Sequence, residues 1–169
     1  MPVGVITTNR NDTTMTIWEL SEKAEYIADR HQQLHNQWQH YCNTLTQAIT
    51  LSKAKLHHAV GCNPDDDLRF FLFDHFIIRI ALAEGFNSQI IEYFVETRAG
   101  EQKVLIARAH MEQNGTIDSN IDNRDRNAVL DHYLEKISPV YDSLYRAIHD
   151  DVPLRMADLS LPVAHKALA

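Results

Sequence analysis

No glycine occurs between Gly4 and Gly61, and no proline between Pro2 and Pro64. In a chain of 169 residues, so long a stretch without the two residues that turns rely on reads as helix. Its start is also written out. Thr16-Ile17-Trp18-Glu19 fits a capping box, in which the Thr16 hydroxyl accepts from the Glu19 amide and the Glu19 carboxylate accepts from the Thr16 amide. Met15 and Leu20 are placed to close a hydrophobic staple around the cap. Leu20, Ala24, Ile27, His31, Leu34, Trp38, Tyr41, Leu45, Ala48 and Ser52 then follow in alternating steps of four and three, an apolar seam sustained over several heptads. Gly61 and Asn63-Pro64 supply the stop. An unbroken helix from 16 to 60 would run roughly 67 Å, too long for a domain of this size to cover. Either it breaks near Thr50 to Ser52, or part of it meets a partner.

The middle of the chain changes rhythm. Phe76, Ile78, Ile80 and Leu82 alternate with Ile77, Arg79 and Ala81, the two-residue period of a strand. Glu84-Gly85-Phe86-Asn87 reads as a turn, and the β-branched and aromatic run Ile90 to Val95 as a second strand. Arg98 to Glu101 turns again, and Val104 to Met111 makes a third strand before the tight-turn pair Asn114-Gly115. Leu68 to Phe73 suits either a fourth strand or the end of a short helix. Connections this short make neighbouring strands antiparallel. A last helix is expected from about Arg124 to Asp150, with Leu130, Tyr133, Ile137, Tyr141, Leu144 and Ile148 on one face, Val140 beside it, and Pro139 kinking it. The predicted fold is α+β: a long N-terminal helix, an antiparallel β-meander of three to four strands, and a C-terminal helix packed with the first on one face of the sheet. A disordered extension over 1–14, one domain over 15–153 and a flexible tail over 154–169 complete the reading. On this reading the stretch MPVGVITTNRNDTT precedes the natural beginning of the domain at Met15.

The histidines do not form a metal site by spacing. His31 and His35 share a helix face, but Cys42 lies seven residues further on, about 10 Å along the axis, and Zn–N and Zn–S bonds of ~2.1 and ~2.3 Å cannot bridge that. His40 points elsewhere, and the adjacent His57 and His58 diverge by about 100° around a helix. Lys53, Lys55, His57 and His58 are the densest basic run and read as a solvated helix face. Cys42 and Cys62 suit apolar packing in a reducing compartment, and on an unbroken helix they would sit far beyond disulfide reach. Asp65-Asp66-Asp67 cannot all face one cation and reads as a solvated loop or helix start. The chain has five glycines, no phosphate-binding loop, no Gly-x-Ser-x-Gly elbow and no Cys-x-x-Cys pair. Neither an enzyme nor a bound cofactor or metal is expected. The net charge of -7 argues against direct nucleic-acid binding, and no apolar run approaches the ~20 residues of a membrane span.

Five extended strings carry a resemblance. MTIWELSEKAEYIADRH, QWQHYCN, ITLSKAKLHHAV, FNSQIIEYFVETRAGE and VLDHYLEKISPVYDSLY, spread from residue 15 to about 153, resemble the formate hydrogenlyase regulatory (HycA) family. The resemblance implies a bacterial cytoplasmic protein that restrains expression of the formate hydrogenlyase system by counteracting its formate-responsive transcriptional activator. It implies no catalytic or ligand residues.

Charge and resemblance together favour action by protein contact. The expected contact residues are those of the first helix seam, Leu20, Ile27, Leu34, Trp38, Tyr41 and Leu45, because tryptophan and tyrosine are enriched at binding hot spots. The competing use of the same seam is to pack on the sheet and the last helix, as any amphipathic helix must bury one stripe. Its regular period also allows a homo-oligomer. A second functional class is a small-anion sensor that binds formate near His75, Arg79 or Arg108 and works as an adaptor without touching the activator.

Overall fold

The computed structural model describes residues 16–61 and 67–160. The proposed N-terminal extension, the staple residue Met15, Cys62, Asp65 and Asp66 lie outside the described residues. The first helix, α1, runs Ile17–Leu51, about 52 Å at 1.5 Å per residue. The capping box is present in full: Glu19 N–H donates to Thr16 Oγ1 at 3.1 Å, and Thr16 N–H donates to Glu19 Oε1 at 3.0 Å. The helix stops at Ser52, whose backbone is extended, so the break falls where the length argument placed it. The helix end leaves residues 53–57 without regular structure, which corrects the reading of the Lys53–His58 run as a helix face.

Five strands follow as one antiparallel meander in chain order: β1 (His58–Val60), β2 (Leu68–Leu72), β3 (Phe76–Leu82), β4 (Ile90–Thr97) and β5 (Lys103–His110). The alternation in β3 puts Phe76, Ile78 and Ile80 on the inner face, in register with Leu72, Phe70 and Leu68 of β2 and with Thr97, Val95 and Tyr93 of β4. Leu68–Leu72 is therefore strand, and Phe73 already belongs to the turn that follows. The fifth strand, β1, is one more than expected; it has only three residues and pairs across the Leu68–Leu72 strand. A small hairpin, β6 (Thr116–Ile117) and β7 (Ile121–Asp122), follows the sheet. Its open end, where Gly115 enters and Asn123 leaves, fits closely against α1. Gly115 has φ +90°, and a Cβ there would stand 2.3 Å from Gln37 Oε1, while Asn123 Nδ2 donates to the Gln37 carbonyl at 2.9 Å.

The second helix, α2, runs Arg126–His149 with Asp125 as its cap. Pro139 lies inside it, and its missing N–H leaves the Glu135 carbonyl without the usual helical donor. Ser138 Oγ donates to that carbonyl at 3.0 Å. The buried face is Val129, His132, Tyr133, Ile137 and Val140; Leu130, Tyr141 and Leu144 border the core, and Ile148, expected on the same face, is exposed. Both helices cover the inner face of the sheet, so the α+β arrangement expected from the sequence is the one observed. A 3-10 turn, Met156–Leu159, closes against β5 and α2. Leu159 is buried, and Leu154 and Met156 are half-buried against the core.

Candidate functional site

The six seam residues part into two groups. Leu34, Trp38, Tyr41 and Leu45 are buried in the core of the chain's own domain. Trp38 stacks on Tyr41 with ring centroids 5.6 Å apart, and Tyr41 Oη hydrogen-bonds Tyr93 Oη on β4 at 2.8 Å. These four close the helix onto the sheet, the ordinary use of an amphipathic stripe. Leu20 and Ile27 are different: they are 56% and 50% exposed. Among the described residues, everything from Thr16 to Gln33 is exposed except Arg30, which is half-buried. The domain body ends at His31, whose ring stacks at 4.8 Å on Phe86 from the β3–β4 turn. From there back to Ile17 about 21 Å of helix stands free of the other described residues.

That free segment keeps the seam. Ile17 lies three residues before Leu20 and extends the same stripe by one step; it is 74% exposed. It was not singled out in the sequence reading, although its spacing from Leu20 was the available signal. Ala24 is exposed as well. Trp18 and Tyr26 are exposed on other sides of the helix, Tyr26 beneath the Arg30 guanidinium at 4.9 Å. Lys23 falls three residues after Leu20 and four before Ile27, and Arg30 three after Ile27, so both border one edge of the stripe. Glu22, Glu25 and Asp29 occupy the opposite side.

The candidate anion residues are not brought together. Arg79 projects from the outer sheet face over the Phe94 ring at 4.9 Å. Its Nη1 donates to Asp67 at 3.0 Å and its Nε to Glu96 at 2.9 Å. Burial acts against its charge, but the hydrogen bonds and charges of those carboxylates raise its pKa further. Arg108, on β5, donates to Glu92 at 3.3 Å. His75 sits in the β2–β3 turn, its ring edge-on to Phe76. Each arginine already holds a carboxylate, so a small anion would have to displace a tethered competitor.

The interior holds a cluster of polar rings that the sequence reading did not use. His58 Nε2 hydrogen-bonds Tyr133 Oη at 2.5 Å. Burial pushes the His58 pKa down to about 4 and raises those of Tyr41, Tyr93 and Tyr133. His132 Nε2 meets Asp118 Oδ2 at 2.8 Å, with Lys136 Nζ at 3.4 Å. Burial opposes the Asp118 charge, but hydrogen bonds from His132 and the His110 amide hold its carboxyl below the usual range. These groups tie α1, α2, the sheet and the small hairpin together. Among the described residues, no three histidine, cysteine, aspartate or glutamate side chains are grouped so as to hold a metal ion, and no helix is long and apolar enough to cross a membrane.

No solved structure matches the chain. Its curated relatives include the formate hydrogenlyase regulatory protein HycA of Escherichia coli strain K12, 59% identical over 145 residues, or 86% of this chain and 95% of that protein. The proteins of the same name from Escherichia coli O157:H7 and Shigella flexneri match to the same extent. The family described as the transcriptional repressor of the hyc and hyp operons matches residues 15–160, which span both helices, the whole sheet and the closing 3-10 turn. The chain belongs to that repressor family.

Proposed function

We propose that this chain is a cytoplasmic, non-enzymatic negative regulator that restrains the formate hydrogenlyase regulon by binding the formate-responsive transcriptional activator. The observation that carries the reading is the free stretch of α1, an exposed apolar stripe on a helix that the domain does not cover. An isolated helix of about 14 residues is marginal in water, and an apolar stripe on it favours association. The net charge of -7 supports a protein target over the phosphate backbone. Such a regulator would mask the activator and leave the DNA untouched.

The test is a titration of the purified full chain into labelled activator at physiological salt, with and without formate. Saturable binding is the expected outcome. An absence of binding under both conditions would remove the anti-activator reading.

A further inference from the structure

The stripe Ile17, Leu20, Ala24 and Ile27 is continuous with the seam that the domain buries from Leu34 onward. The body of the domain therefore lies on the same side of α1 as the exposed stripe, and this geometry restricts what can cover it. A second copy lying parallel on the stripe would drive its own continuation, residues 34 to 49, into the first copy's body. A second copy lying antiparallel avoids that collision, but in an antiparallel two-fold pair like edges meet. Lys23 and Arg30 would then face Lys23 and Arg30 of the other chain, between two molecules that each carry a charge of -7.

The same features suit a different occupant. We infer that the free segment of α1, residues 17–30, docks an amphipathic helix of the partner protein whose apolar stripe is bordered by acidic residues. This rests on the activator reading above and names the surface and the chemistry of the contact. The partner helix lies along the stripe with its aliphatic side chains over Leu20, Ala24 and Ile27; small Ala24 lets the two backbones approach. Its carboxylates meet Lys23 and Arg30 along one edge, which sets direction and register. Glu22, Glu25 and Asp29 stay on the solvent side and repel a partner that approaches from there. The exposed stretch of α1 ends at His31, where the Phe86 ring stacks on it.

The test uses the full chain and the activator, with binding followed by isothermal titration at two salt concentrations. Leu20→Asp/Ile27→Asp is expected to weaken binding at least tenfold, and Lys23→Glu/Arg30→Glu several-fold with a flatter salt dependence. All four side chains lie outside the core, so unchanged thermal unfolding of the variants serves as the folding control. If the wild type binds and Leu20→Asp/Ile27→Asp binds equally well, the surface assignment is overturned while the anti-activator reading stands. If only the charge reversal is silent, the acidic border of the partner is refuted. If the wild type fails to bind, both readings fall together. Sedimentation velocity on the same samples covers the remaining case: a dimer that Leu20→Asp/Ile27→Asp converts to monomer would make the occupant a second copy and overturn the proposal.

Discussion

Tyr41 and Tyr93 meet hydroxyl to hydroxyl at 2.8 Å in the middle of the core, one from α1 and one from β4. Both are fully buried, so each hydroxyl depends on the other for its partner. Removing one leaves the other without a hydrogen bond in a dry place, which costs about 1–3 kcal/mol. Tyr41→Phe and Tyr93→Phe should each destabilise by that amount, and the double variant by clearly less than their sum; urea unfolding of the four proteins measures this. His58 makes a pH prediction at the same scale. Its folded pKa of about 4 lies below the ordinary 6.5 because burial disfavours the charge. The unfolded chain therefore binds a proton at this site that the folded one does not, and stability falls as pH drops from 6.5 toward 4. Between pH 7 and pH 5 the loss is roughly 2 kcal/mol. His58→Gln should flatten that slope in urea unfolding at the two pH values, and an unchanged slope would show that other groups set the acid sensitivity.

At the scale of the element, α1 is one helix in two environments. Residues 34–49 are pinned by Leu34, Trp38, Tyr41, Leu45 and Ile49, whereas 17–30, among the described residues, are held by the helix's own hydrogen bonds, the capping box and the local Arg30–Tyr26 contact. Backbone amides of the free part should exchange with solvent roughly a hundredfold faster than those near Tyr41, and Thr16→Ala should speed the free part further without touching the rest. Uniform protection along the helix would contradict this division and would point to association in solution. The contrast also marks the limit of sequence reading. The capping box, the seam and the strands 76–82 and 90–97 were legible because each depends on residues close together in the chain. Which half of the seam is buried was not legible, since the period is the same on both sides of His31. Strand β1 was missed because three residues carry no period, and they become a strand only by pairing with Phe70 to Leu72. Arg79 looked available for an anion because its carboxylates, Asp67 and Glu96, arrive from outside its own strand. The face of α2 drifted from the expected stripe at its far end, where Ile148 is 82% exposed.

For the whole molecule, the decisive question is where the cooperative unit ends. The stretch beyond Pro153 has weak periodicity and no strong helical or strand pattern, yet Leu159 is only 3% exposed and its turn rests on both β5 and α2. Such a residue joins the edge of the sheet to a helix on its inner face, and the surface it covers there would otherwise be wet. Burial of one leucine contributes about 1.5–3 kcal/mol, and truncation to alanine adds the cost of the space left behind, for a total near 2–5 kcal/mol. Leu159→Ala should therefore lower the midpoint of the whole thermal transition by about 5–15 °C. The discriminating measurement follows unfolding by near-ultraviolet circular dichroism, which reports the buried tyrosines and Trp38, and by the far-ultraviolet helix signal. If the turn is part of the folding unit, both signals shift together and remain one transition. If residues 154–160 are only laid on a finished domain, the core signal stays where it was, and the unit ends at α2.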